Sequence, residues 1–262
     1  MPTLSRRSLT LAVCAAVVAA LLAVAAFAPL PVSIVQPGLT VNVLGSSSGT
    51  QVITISGAPV RTTGGQLRMV TIQATSPDAP VHFIDVAKAW FNSKKAAMPR
   101  DSVYPSGGSV KAIEKANLKE MTDSQEAATT AALGHLGLSP SKVKVELRLA
   151  DVGGPSAGLL FTLGIIDKIQ GNGHGGDLTG GRNIAGTGTI DGKGNVGAVG
   201  GVPLKEQAAR NYGATVFLVP RAECSDATAQ LPDGLRLIPV ETLDGALSAL
   251  AALDAGKKTP TC

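Results

Sequence analysis

The stretch Val143-Lys-Val-Glu-Leu-Arg-Leu-Ala-Asp-Val-Gly-Gly-Pro-Ser-Ala-Gly158 changes its period within a few residues, and that change decides the fold. Val143, Val145, Leu147 and Leu149 alternate with Lys144, Glu146 and Arg148, the pattern of a half-buried strand. From Gly158 to about Ile169 the chain is apolar at helical spacing. Between the two, Gly153, Gly154, Pro155 and Gly158 demand a sharp turn, so the expected unit is strand, tight turn, helix, with Ser156 at its apex.

Downstream the same alternation continues. Strands are expected at Asn183–Ile190, Thr215–Val219 and Leu235–Val240, a hairpin through Gly192–Gly194, and helices at Pro203–Tyr212 and Leu243–Leu253, with a short helical piece near Ser225–Ala229. Gly171 to Gly181 is too glycine-rich for either element and reads as an exposed loop. Upstream, Val41–Leu44, Val52–Ile55 and Leu67–Ile72 read as short strands, expected to be antiparallel. Phe83, Val86, Ala87 and Trp90 suit one apolar helical face, and a second helix is expected to start at Asp123 or Ser124 and stop at Gly137 and Pro140. The fold class is therefore α+β, with a small β-rich segment in front.

The chain begins with an apolar run. Arg6 and Arg7 precede Leu9 through Ala28, which is long enough to cross a bilayer, and the positive flank places the remainder outside the cytoplasm. The expected arrangement is a single-pass cell-membrane anchor with the body on the extracytoplasmic side. The alternative is secretion after signal cleavage: Ala26-Phe27-Ala28 offers a small-x-small site and Ser5-Arg6-Arg7 resembles a twin-arginine signal. Cys224 and Cys262 are the two cysteines of the exported part; a disulfide and a pair of free thiols are the alternatives. The expected division is an anchor at 1–31, a β-rich region with a short helix at 32–120, a catalytic domain at 121–256 and a tail at 257–262.

Composition excludes several functions. The net charge is +4 on 262 residues, the basic residues are scattered, and aromatics make up 3%, so neither a basic stripe nor stacking platforms for nucleic acid are present. Gly192-Lys-Gly-Asn-Val-Gly197 fits G-x-G-x-x-G but lies in the expected hairpin without a following long helix, and no G-x-x-x-x-G-K-[ST] loop occurs, so no nucleotide is expected. There is no H-E-x-x-H and no Cys or His spacing suited to zinc; no metal or other cofactor is expected.

Gly154-Pro-Ser-Ala-Gly158 matches G-x-S-x-G in the context that motif needs, but a serine there is also an ordinary helix cap. A nucleophilic serine requires a base. Only His174 follows it, in the glycine-rich loop, so the order Ser, acid, distant His of an α/β-hydrolase cannot be assembled, and His82 and His135, which precede it, are expected on helix faces as structural residues. A buried lysine can serve instead, because desolvation favours its neutral amine. Lys257 and Lys258 lie in a polar tail, Lys193 at a hairpin tip, and Lys168 about 18 Å from Ser156 along the helix. Lys205 is left, on the first turn of the helix after Gly200-Gly201; the alternative is that it is an ordinary solvated lysine.

Gly154-Pro-Ser-Ala-Gly158, Thr187-Gly-Thr-Ile-Asp191 and Gly192 to Gly201 leading to Lys205 resemble, in that order, the proteolytic domain of Lon-type Ser-Lys peptidases. The resemblance spans about Val143 to Leu253. It implies Ser156 as nucleophile, Lys205 as base and Thr187 as the support of that lysine. Backbone amides around Gly153, Gly154 and Ala157 are expected to hold the oxyanion. Pro37 to Leu44 and Met121-Thr-Asp-Ser-Gln-Glu-Ala-Ala128 are similar to membrane-anchored bacterial Lon-like proteases, which normally carry a PDZ domain and lack an ATPase. Here the helix after Ser124 leads almost directly into the strand before Ser156, so the PDZ segment is expected to be missing. Many Lon enzymes hold an acidic residue three positions before the serine; this chain has Gly153 there and Asp151 two residues earlier, and no acidic role is transferred. The resemblance implies an ATP-independent serine endopeptidase acting on exported or membrane-associated polypeptides, assembled as a homo-oligomer, the hexameric ring being the family's usual form. The rival expectation is a catalytically inactive Lon-fold binding or assembly module at the membrane surface.

Overall fold

A computed structural model describes residues 6–105, 107, 109–149 and 152–262. Ser5 of the twin-arginine-like motif and Asp151 lie outside the described residues. In chain order the elements are α1 (Arg6–Phe27), β1 (Val32–Asn42), β2 (Ser46–Ser47), β3 (Thr50–Gln51), β4 (Ile53–Ser56) and β5 (Gln66–Ala74). There follow α2 (Phe83–Trp90), β6 (Ala96–Pro99), α3 (Arg100–Val103), α4 (Val110–His135), β7 (Lys144–Leu147) and α5 (Gly158–Ile169). The chain then forms β8 (Asn183–Gly186), β9 (Thr189–Ile190), β10 (Val196–Gly197) and α6 (Val202–Asn211). It closes with β11 (Val216–Pro220), α7 (Cys224–Ala229), β12 (Arg236–Val240) and α8 (Leu243–Asp254).

The architecture is mixed α/β and falls into two compact units. One comprises residues 1–36 and 74–110, the other 37–73 and 111–262. In the first, α1 has no buried residue, and the start of β1 pairs antiparallel with β6, Val32 opposite Pro99 and Val35 opposite Ala96.

The second unit is organised by a sheet in which β12, β11, β8 and β5 lie side by side, all parallel, followed by β1. The strands before Ile72 were expected to be antiparallel. β4 does pair that way, with β7, but β5 runs parallel to β8 (Leu67 opposite Ile184), because its partner comes from the distant βα segment and not from a hairpin neighbour.

Period-2 alternation sends the strand residues to two faces. Leu67, Met69, Ile184, Leu218 and Ile238 pack on one core with α5, which is buried from Gly158 to Lys168, the alanine face of α4 and α8. Val70, Ala185, Phe217, Val219 and Leu237 form the other core with Val202 and Ala209 of α6 and Ala227 of α7. A sheet covered on both faces has near-continuous apolar strands, which is why Val216–Pro220 is buried throughout.

α4 begins at Val110, not at Asp123 or Ser124. Between Val110 and Thr122 only Ile113 and Met121 are buried, so the apolar period is faint there, while Lys, Ala, Glu and Leu carry the helix by propensity. The expected strand at Asn183–Ile190 is two short ones, β8 and β9, interrupted at Thr187-Gly188.

The glycine-rich segment 171–181 is an ordered loop at the end of α5 remote from Ser156. Arg61 ties it down, donating to the carbonyls of Asp167 and Gly175 and pairing with Asp177 at 3.5 Å. Asp167, fully buried, accepts the Leu178 amide at 2.8 Å. It therefore folds away from the turn instead of entering it.

Candidate active site

Ser156 lies on the turn between residue 152 and α5, and its position is set by hydrogen bonds to that turn from α4 and from the break between β8 and β9. Gly154 has φ +88°, a left-handed conformation suited to glycine. Its N–H donates to the carbonyl of Asn117 on α4 at 3.1 Å. Ser124, also on α4, donates its hydroxyl to the Pro155 carbonyl at 2.9 Å. The Ser156 carbonyl accepts the Gly188 amide at 2.9 Å, and Gly188 returns its own carbonyl to the Leu159 amide at 3.1 Å. A Cβ at Gly158 would stand 3.0 Å from Ser124 Oγ and 3.1 Å from the Ile190 amide nitrogen, so only glycine lets the helix start this close to β9 and α4.

Lys205 sits on the first turn of α6, whose N-cap is Gly201 in the left-handed region (φ +71°). It is 4% exposed, and its Nζ donates to Thr187 Oγ1 at 3.2 Å. Thr187, fully buried, lies in the break between β8 and β9, where its own amide continues the parallel ladder by donating to the Leu218 carbonyl at 3.0 Å. Its hydroxyl is also 3.3 Å from the Ser156 carbonyl oxygen. Thr187 thus touches both the lysine amine and the backbone of the serine. Among the described residues no hydrogen bond joins Ser156 Oγ to Lys205 Nζ.

Burial lowers the Lys205 pKa from 10.5 to about 8, and the nearby Glu223 carboxylate opposes that shift. A neutral amine is thereby accessible near physiological pH. The competing lysines are elsewhere: Lys168 is buried at the far end of α5, donating to Gln51 Oε1 at 3.4 Å, and Lys193, Lys257 and Lys258 are exposed. The histidines are engaged elsewhere too. His135 Nδ1 is 3.2 Å from Asp244, His82 Nδ1 is 3.7 Å from Asp85, and His174 lies in the 171–181 loop.

Of the amides expected around the serine, that of Gly154 is already spent on Asn117 in this arrangement. Beside Pro155 a groove of about 410 Å³ opens between α4 and β9, lined by Ser124, Ala127 and Ile190 with Glu120 and Asp191 at its edges. The Gly192–Gly197 motif forms the β9–β10 hairpin, its turn closed by Asp191 accepting the Lys193 and Asn195 amides at 2.9 Å.

Three neighbours of the site were not singled out from sequence. Ser124 stands in the sequence only as a possible start of the second helix and within Met121–Ala128; Asn117 carries no signal at all. Glu206, next to Lys205, is fully buried with neither carboxylate oxygen hydrogen-bonded among the described residues, and desolvation raises its pKa from 4.5 to about 8. Further along, Cys224 and Cys262 are joined, their Cα atoms 5.2 Å apart, and Thr259 of the tail is buried against Arg236 at 2.7 Å.

Residues 149–252 match the family model of the Lon protease (S16) C-terminal proteolytic domain. The archaeal Lon protease of Methanocaldococcus jannaschii is 34% identical over 103 residues, 39% of this chain and 15% of that protein. The chain therefore spans only a small part of that relative's length. The likeness to a Ser-Lys peptidase family lies in the C-terminal half, on the segment that carries Ser156, Thr187 and Lys205.

Proposed function

We propose that this chain is an ATP-independent serine endopeptidase in which Ser156 is the nucleophile and Lys205 the general base. The observation that carries the reading is the buried Lys205 amine held by Thr187, which also touches the backbone of Ser156. Neutral Lys205 takes the Ser156 hydroxyl proton as Oγ attacks the scissile carbonyl. The resulting oxyanion is held by backbone amides of the Gly153–Ala157 turn, among them that of Ala157. The Lys205 ammonium then protonates the leaving amine, and the same lysine deprotonates the water that hydrolyses the acyl-enzyme. Thr187 positions the amine throughout.

The domain boundary proposed for the catalytic part is 121–256, with the β-rich region at 32–120 before it. α1, 22 residues long, almost wholly apolar from Leu9 to Phe27 and without buried side chains, supports a membrane anchor, and Arg6 and Arg7 support a body on the extracytoplasmic side. The Cys224–Cys262 bridge suits that compartment. Substrates are then exported or membrane-associated polypeptides, and a homo-oligomer, hexameric as the resemblance implies, is the proposed assembly.

The test is cleavage of an unfolded protein by the full chain in detergent, without ATP, beside Ser156→Ala and Lys205→Ala. Cleavage lost in both variants while folding persists supports the dyad. A Lys205→Ala protein of normal activity would overturn it. An inert but folded native chain would favour the binding-module reading.

A further inference from the structure

We infer that α2 and the turn after it form a second membrane contact, a short interfacial helix that lies against the lipid headgroups beside the exit of α1. This rests on the reading of α1 as a membrane anchor.

α2 was expected to bury one apolar face. The structure buries Ala89 and turns the larger side chains outward: Phe83 is 60% exposed, Ile84 56%, Trp90 84% and Phe91 89%. At 100° per residue these four, with Ala87, fall within an arc of roughly 120°, so they form one continuous outer stripe. The whole sequence has eight Phe, Tyr and Trp residues, and three of them stand here in water-facing positions.

The position of this stripe is fixed relative to α1. The chain leaves α1 at Phe27, and Leu30 donates its amide to the Val81 carbonyl at 2.7 Å, two residues before α2 begins. Arg100, just beyond β6, donates its amide to the Pro31 carbonyl at 3.0 Å. Three residues from Phe27 to Leu30 span at most about 10 Å and two from Val81 to Phe83 about 7 Å, with one hydrogen bond between them, so the start of α2 is held within roughly 25 Å of the end of the apolar helix. α1 and α2 also touch directly. An anchor that spans the bilayer therefore brings Phe83 and its neighbours to the headgroup level.

The chemistry of the stripe suits that level. Tryptophan and other amphipathic aromatics prefer the interface between hydrocarbon and water. Between Phe83 and Lys95 there are three lysines, Lys88, Lys94 and Lys95, against the single Asp85, and all three lysines are exposed. An apolar stripe rimmed by lysines fits a membrane surface containing anionic lipid.

Trp90 is the only tryptophan in the chain, so its fluorescence reports on this helix alone. The full chain is reconstituted in vesicles of phosphatidylcholine with a minority of phosphatidylglycerol, and flotation verifies insertion. The expected result is blue-shifted Trp90 emission that loses most of its intensity when the lipids carry bromine high on the acyl chain and resists aqueous iodide. Exchanging Lys94 and Lys95 for Gln is expected to make that quenching independent of the anionic lipid. Water-like emission, open to iodide and blind to brominated lipid in a chain that still floats, would overturn the α2 contact and leave the anchor standing. A blue-shifted emission blind to brominated lipid and dependent on protein concentration would assign the stripe to a second copy instead, which also overturns it. A chain that fails to float removes the anchor and this inference with it.

Discussion

Lys205 Nζ stands 3.2 Å from Thr187 Oγ1, with both groups buried, so the amine has a fixed acceptor whatever occupies the cleft. A neutral lysine needs one direction from which it cannot rotate away, and the threonine supplies it. Thr187→Val keeps the shape and removes the hydroxyl. The loss of one hydrogen bond to an amine that charges during turnover in the proposed mechanism is worth about 1.5–3 kcal/mol, so kcat is expected to fall roughly 10- to 100-fold with KM little changed. Steady-state kinetics on a peptide substrate checks this, and Thr187→Ser is expected to recover much of the loss.

The pH profile follows from the same lysine. In the proposed mechanism activity requires the neutral amine, so kcat/KM is expected to rise with pH and level off above the Lys205 pKa of about 8. Glu223 holds that pKa up through its charge. Glu223→Gln is therefore expected to move the rising limb to lower pH, and a limb that stayed put would show that the carboxylate is not felt at the amine.

Glu206 makes stability depend on pH in the opposite sense to an ordinary surface carboxylate. Its folded pKa of about 8 lies above the unfolded value of 4.5, so its contribution is fully present below 4.5 and is lost as pH rises toward 8. At about 1.4 kcal/mol per unit, the native chain is expected to lose on the order of 3 kcal/mol between pH 4.5 and 7 from this group. Denaturant unfolding of Glu206→Gln across that range is expected to lack this slope.

The Cys224–Cys262 bridge closes a separation of 38 residues. The chain-entropy account assigns such a loop about 4 kcal/mol, and Cys262→Ser is expected to cost 2–4 kcal/mol, read as a lowered denaturant midpoint. Reducing agent should produce the same shift in the native chain and none in the variant.

Much of this site was legible because it is written in short, ordered motifs. Gly154-Pro-Ser-Ala-Gly158 implied a turn through its glycines, and elimination among the lysines reached Lys205 without coordinates. What sequence concealed was set by distant partners. The strand read as one piece from Asn183 to Ile190 breaks at Gly188 because that amide goes to the Ser156 carbonyl instead of a neighbouring strand. The loop at 171–181 looked free because its tether, Arg61, is more than a hundred residues away. The helical spacing around Phe83 and Trp90 was correct, but periodicity gives a stripe and not the side it faces.

The parallel pairing of β5 with β8 has a consequence for how the chain is made. Leu67 meets Ile184, so a strand synthesised early has an unmatched edge until more than a hundred further residues have emerged. Closing so long a separation is slow, and the exposed edge invites wrong partners in the interval. Until Asn183–Gly186 arrives to complete the pairing, the nascent front half is expected to present that open edge to other chains.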